Sequence, residues 1–201
     1  MRHRRFRWRG ALGAVVLAPI AVVSIFSTPL VPGDSWWQLP IRTAAWACFL
    51  AGAAFRFWAT LYVGGKKDDQ LVTTGPYSIC RNPLYLGSFL LGVSGGLFLE
   101  SVPLLAALVV MMVIYQQTTI RAEEGVLRAR HGPDFDDYVG RVPRIWPWSR
   151  AFYSPDYVTI HIHSLWNECA RASRWVWLPI LGDIVMRLRT HTWWPMFFHR
   201  L

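Results

Sequence analysis

Charge is what this chain has least of. Charged residues make up 16% of its 201 positions, against about 25% in an ordinary soluble domain. Hydrophobic residues reach 53%. Whole stretches carry no charge at all: 10–33, 82–99 and 101–120. Cysteine is scarce too. Cys48, Cys80 and Cys169 are odd in number and form no CxxC, which argues against a disulfide framework or a zinc site. Cys80 reads as a small packing residue rather than a nucleophile. No glycine fingerprint follows a strand, so a Rossmann nucleotide site is not expected. There is no internal repeat and no low-complexity segment.

What is present points to a membrane. The uncharged run 10–33, if helical, covers roughly 36 Å, enough for a bilayer core of about 30 Å. Its arginine-rich start also suits a signal peptide, but such an apolar core is only about 7–15 residues long and no good cleavage site follows. It is read as a retained transmembrane helix. A second span is expected over roughly 40–63, with Arg56 either snorkelling to the inner face or turned into a site. Runs 82–99 and 101–120 read as a helical hairpin, turned by Glu100, Ser101 and Pro103.

The net charge of +9 and the twelve tryptophans fit the same picture. Arginines crowd the N-terminus and flank later runs, which is the pattern of cytoplasmic loops rather than of nucleic-acid binding. Tryptophan suits membrane interfaces, where one edge stays wet. The expected architecture is therefore all-α. It is a polytopic helical bundle of four transmembrane helices, or five if the short apolar stretch 175–186 also crosses. That stretch reads better as an interfacial helix. Both termini are expected in the cytoplasm and the protein in the inner membrane. A membrane-integral domain over 1–150 and an interfacial extension over 151–201 are the expected divisions.

Past Arg121 the helix is expected to continue into water, with Glu124 and Arg128 spaced i,i+4 for pairing. His131-Gly132-Pro133 should end it. An irregular basic and aromatic segment with Tyr138, Arg141, Val142, Pro143 and Pro147 is expected next.

Two polar clusters converge on the inner face because the hairpin is antiparallel with legs of similar length. One holds Tyr77, Arg81 and Tyr85. The other holds Arg121, Glu123 and Glu124. An arginine fork can hold a carboxylate, a glutamate can accept from ribose hydroxyls or an ammonium, and tyrosines can stack on a purine or face a sulfonium. Together they suit an amino-acid-linked nucleoside.

The ordered elements Leu71-Val72-Thr73-Thr74-Gly75-Pro76-Tyr77, Arg81-Asn82-Pro83-Leu84-Tyr85-Leu86-Gly87, Glu123-Glu124 and Tyr138-x-x-Arg141-Val142-Pro143 resemble the isoprenylcysteine carboxyl methyltransferase and phospholipid methyltransferase superfamily. The resemblance covers roughly 55–147. It implies a membrane methyltransferase that uses S-adenosylmethionine and acts on a lipid or small lipophilic acceptor. It further implies donor contacts at Gln70, Leu71, Val72, Tyr77, Arg81, Asn82, Pro83, Leu84, Tyr85 and Glu124. Glu123 would face the acceptor, aided by Arg121. No metal and no nucleic acid is implied. Asn82 stands where the family has histidine, and an amide cannot titrate. Thr119 stands where carboxyl-methylating members have arginine, which weakens a carboxylate acceptor. A membrane reductase and a non-catalytic assembly protein for a redox system are the alternative classes.

Overall fold

A computed structural model of the protein describes residues 15–33, 35–65, 70–147 and 152–198. Among them the chain is helical, and its strand-like pairing is one isolated bridge, Ser27 with Phe198. The helices are α1 (Val15–Ile25, within the described residues), α2 (Gln38–Val63), α3 (Pro76–Ile79), α4 (Pro83–Phe98), α5 (Val102–Tyr115), α6 (Arg121–His131), α7 (Pro133–Arg141), α8 (Ile162–Trp175) and α9 (Trp177–Leu188). A π-helical turn over Gln116–Ile120 joins α5 to α6, so Val102–His131 runs as one 30-residue helix.

Two helices are long and apolar enough to cross a membrane, α2 and Val102–His131. Only 22% and 17% of their most apolar windows is buried in protein. A core helix of a soluble domain would be mostly covered, so the length, composition and exposure of these two fit a membrane protein. The expectation of four spans is met only in part. Helix α4 has 16 residues, or about 24 Å. Helix α1 stops at Ile25 rather than running on to Gly33. Part of that first expected span, together with Lys66, Lys67, Asp68 and Asp69 of the loop after α2, lies outside the described residues.

The chain divides into two compact units. The first comprises Met1–Ala47, Gly92–Val113 and Trp177–Leu201. Here the end of α1 is tied down rather than left open. The last carbonyls of a helix have no partner within it. In this unit buried Arg189 donates to the Ser24 and Ile25 carbonyls, and to Leu99 at 2.9 Å. Trp194 Nε1 donates to the Ile25 carbonyl at 3.4 Å and its ring stacks on Phe26 at 5.6 Å. The expected tight turn is present: Glu100 takes a left-handed φ of 48°, and its carboxylate accepts from the Val31 N–H at 3.2 Å. Ser101 Oγ accepts the Leu104 N–H at 3.2 Å, an N-cap for α5.

The second unit comprises Cys48–Leu91 and Ile114–Val176. Its helices α2 and α4 touch through backbone. A Cβ on Gly52 would lie 2.9 Å from the Gly87 carbonyl, and one on Gly87 2.6 Å from Arg56 Cγ. Small residues permit such close approach between membrane helices. Helix α6 ends at His131 as expected, with Gly132 at φ 51°. The segment after it differs from expectation. Pro133–Arg141 is helical, because proline is preset for the first helical position and Asp134, Asp136 and Arg141 suit the dipole ends. Phe135, Tyr138 and Val142 form a buried cluster against Leu71, Leu127 and Val139.

Candidate active site

The polar residues of the second unit fall into two groups, a buried clasp and an accessible pair. The clasp centres on Glu124. Arg81 Nε reaches its Oε1 at 3.1 Å, and Arg144 grips it through Nε at 3.1 Å and Nη2 at 2.7 Å. Arg81 Nη1 also donates to the Val139 and Val142 carbonyls at 3.0 and 2.7 Å. Its backbone N–H donates to the Pro143 carbonyl at 2.9 Å. Asn82 Nδ2 donates to the Arg144 carbonyl at 3.1 Å. The chain after α7 is therefore sewn to the Arg81-Asn82 turn. Arg128 does not pair with Glu124 as the spacing suggested; it reaches Asp136 of α7 at 2.7 Å, because Glu124 turns inward on two closer arginines.

The accessible pair is Tyr85 and Glu123. The Tyr85 hydroxyl donates to Glu123 Oε1 at 2.9 Å, and its ring lies 6.3 Å from that of Tyr115. Both residues are half-buried. Proline at the first position of α4 presets that helix, and the Asn82 carbonyl accepts the Tyr85 and Leu86 N–H groups. Leu84 contributes its carbonyl, which accepts from Ser88 Oγ at 2.8 Å.

The expected donor loop is an extended run. Among the described residues, no backbone N–H or C=O of Leu71, Val72 or Thr73 makes a hydrogen bond. Leu71, Val72 and Thr73 are half-buried, and their backbone N–H and C=O groups are of the kind that pair with the ring and amino nitrogens of a purine. Leu71 itself packs on the Phe135–Tyr138 cluster. Gln70 is exposed. Tyr77 is buried, and its carbonyl accepts the Tyr138 hydroxyl at 2.7 Å. Burial pushes both phenols up, so both stay protonated donors.

Arg121 is not brought to the pair. It is exposed, and its side chain makes no hydrogen bond or ion pair among the described residues. It lies two positions before Glu123, which is about 200° around a helix. Arg144 is the residue that sequence reasoning missed. It directly follows Arg141-Val142-Pro143, and of the two arginines it is Arg144 that reaches the carboxylate, while Arg141 donates to the Asp137 carbonyl at the surface. Arg56 goes neither to lipid nor to the Tyr85–Glu123 pair. Its Nε lies 2.7 Å from Glu168, whose other oxygen meets Arg171 at 2.7 Å, and its guanidinium sits 4.7 Å from the Trp175 ring centre. Glu168 is fully buried and was likewise not anticipated.

Cys80 is buried, its Sγ 3.8 Å from the Arg144 carbonyl. Burial pushes the thiol up to about 11. Because folding raises this pKa, the protonated thiol contributes stability that is complete below its ordinary value near 9 and lost as pH rises through about 11. At pH 8 only about one thiol in a thousand is then ionised. Alkylation of native protein at pH 8, read by mass spectrometry, should label exposed Cys169 and spare Cys80 until unfolding. Equal rates at both sites would contradict the burial. Among the described residues no three His, Cys, Asp or Glu side chains gather to hold a metal ion.

An extended loop, a glutamate–tyrosine pair joining α4 to α6, and an arginine clasp on the neighbouring glutamate are the polar features of this unit of a helical membrane protein. The chain belongs to the phospholipid methyltransferase family, whose profile matches residues 39–134. It is 32% identical to the nickel-cobalt-cadmium resistance protein NccN of Alcaligenes xylosoxydans xylosoxydans over 196 residues, covering 98% of this chain and 89% of that protein. It is 33% identical to the cobalt-zinc-cadmium resistance protein CzcN of Cupriavidus metallidurans over 189 residues, covering 92% of this chain and 81% of that one. No solved structure matches it.

Proposed function

We propose that the protein transfers a methyl group from S-adenosylmethionine to an amine on a lipid or small lipophilic acceptor, at the cytoplasmic face of the inner membrane. The observation that carries the reading is the Tyr85–Glu123 hydrogen bond at 2.9 Å, in the same unit as the unmatched Leu71–Thr73 edge. That edge, with Tyr77, Asn82, Pro83, Leu84 and Tyr85, would hold the donor. When bound, its sulfonium supplies a methyl group that leaves without further activation.

The chain's own residues then have three tasks. The Leu71–Thr73 edge and the Asn82–Tyr85 turn orient the two partners, which is the larger part of such a displacement. Glu123 attracts an ammonium and takes its proton, since only a neutral amine has a lone pair to offer. Tyr85 holds Glu123 in place through its hydroxyl. Arg81 and Arg144 are engaged with Glu124, and Arg56 and Arg171 with Glu168. These forks are committed to the protein's own carboxylates, which favours a cationic acceptor over a carboxylate one.

In this reading four helices cross the membrane with both termini inside, and the acceptor enters sideways from the bilayer. The relatives' names extend it. A primary amine can bind a divalent metal through its lone pair, whereas a quaternary ammonium cannot. Methylating headgroup amines would strip metal ligands from the membrane surface, in keeping with a role in nickel, cobalt, cadmium and zinc resistance.

The test uses purified protein in lipid nanodiscs with methyl-labelled S-adenosylmethionine. Saturable donor binding and label in an amine-bearing lipid are expected. Binding with label confined to water-soluble product would overturn the lipid acceptor. Absence of binding would overturn the methyltransferase reading.

A further inference from the structure

The family match ends at residue 134, yet a later segment is fastened to the loop before α4. The Gly75 N–H donates to the Tyr153 carbonyl at 2.7 Å. The Tyr153 N–H donates in turn to Ser78 Oγ at 3.2 Å. Ser78 Oγ donates onward to the Gly75 carbonyl at 2.6 Å, and the side chain is buried. One residue further on, Ser154 Oγ lies 2.6 Å from Tyr62 Oη. Phe152 packs on Trp58 of α2, ring centres 5.9 Å apart.

Tyr62 has a second contact with this loop. Gly75 has a left-handed φ of 60°, and a Cβ there would fall on the Tyr62 ring. The loop is thus wedged by an aromatic ring on one side and strapped by residues 152–154 on the other. Four residues upstream of the strapped glycine begins the extended run Leu71–Thr73.

We propose that residues 152–154 form a strap that positions the donor-binding loop, with Ser78 and Tyr62 as its positioning residues. The segment beyond the family match is then a working part of the donor site and not an appendage. This rests on the methyltransferase reading above. The strap acts on binding rather than on the methyl-transfer step, because none of its groups belongs to the Tyr85–Glu123 pair.

The experiment measures donor affinity, turnover at saturating donor and amide hydrogen exchange on full-length protein in nanodiscs, using S-adenosylmethionine as the probe. Ser78→Ala should raise the donor Kd about tenfold, as expected for losing one buried hydrogen-bonded group. Turnover at saturation should stay within about twofold. Exchange over 71–78 should quicken in Ser78→Ala and in Tyr62→Phe. Ser154→Ala should match Tyr62→Phe, and the double variant should be no worse than either, since both remove one interaction. Unchanged donor Kd in these variants, with wild-type protein binding normally, overturns the strap alone. So does exchange over 71–78 that does not change, whatever the donor does. Wild-type protein that binds no donor overturns the strap's role together with the methyltransferase reading.

Discussion

Glu123→Gln is expected to lower turnover by about 10²–10⁴-fold, the usual worth of a positioned acid–base group, while donor affinity changes by less than about threefold. The substitution keeps the size of the side chain and an oxygen to accept from the Tyr85 hydroxyl, now at 2.9 Å from Glu123 Oε1. What it removes is the charge and the basicity. An amine acceptor arrives mostly as ammonium, so loss of the carboxylate removes both an electrostatic attraction and the proton acceptor. Raising the pH should recover part of the lost activity in the variant, because solvent then deprotonates the amine. Initial rates against pH and donor titrations check this directly. Equal losses in turnover and donor affinity would mean that Glu123 holds the donor instead.

Glu168→Ala should destabilise the second unit by about 3–5 kcal/mol, the cost of leaving a buried charge without its partner. Glu168 is fully buried between Arg56 at 2.7 Å and Arg171 at 2.7 Å. Arg171 is half-exposed and can turn to water. Arg56 cannot easily do so: its side chain is only 14% exposed, wedged against Trp175 and hydrogen-bonded to Ser88 Oγ at 2.5 Å. The paired replacement Arg56→Met with Glu168→Leu should recover much of the loss, because a buried pair is worth little against well-packed apolar side chains. Denaturant titration in a mild detergent distinguishes the two. A loss below about 1 kcal/mol in Glu168→Ala would show that water reaches Arg56, as it does in a surface pair.

The features legible from sequence were those set by local chemistry. Apolar runs located α2 and α4 to within a few residues and the start of α5, because apolar length decides what a membrane accepts. Gly132-Pro133 ended α6, and Glu100 made its turn, through backbone preferences that act on one or two residues. Arg81, Tyr85, Glu123 and Glu124 are expected near one another from spacing and resemblance, and the fold brings Tyr85 to Glu123 and Arg81 to Glu124. The partners of buried charges were not legible. Glu124 has Arg128 one turn away, yet takes Arg81 from 43 positions upstream and Arg144 from 20 downstream. Arg56 takes Glu168 across 112 positions. Such choices depend on packing, and no local propensity encodes them. Arg121 is the opposite case. Helical periodicity alone places it on the wrong side from Glu123, and that signal was available.

The π-helical turn at Gln116–Ile120 ends just before Arg121 and Ala122, the residues that lead into the two glutamates. Each residue advances a helix by about 100°, and a π turn accommodates one residue more than an α turn would. It therefore works as an indexing step between the apolar leg α5 and the leg that carries Glu123 and Glu124. A relative one residue shorter here could keep every motif and still present a different pair of side chains to the loop. In this chain, then, the count of residues between Tyr115 and Glu123 sets which side chains α6 turns toward the Arg81-Asn82 turn. Two chains that agree in each named residue but differ in that count would be different instruments.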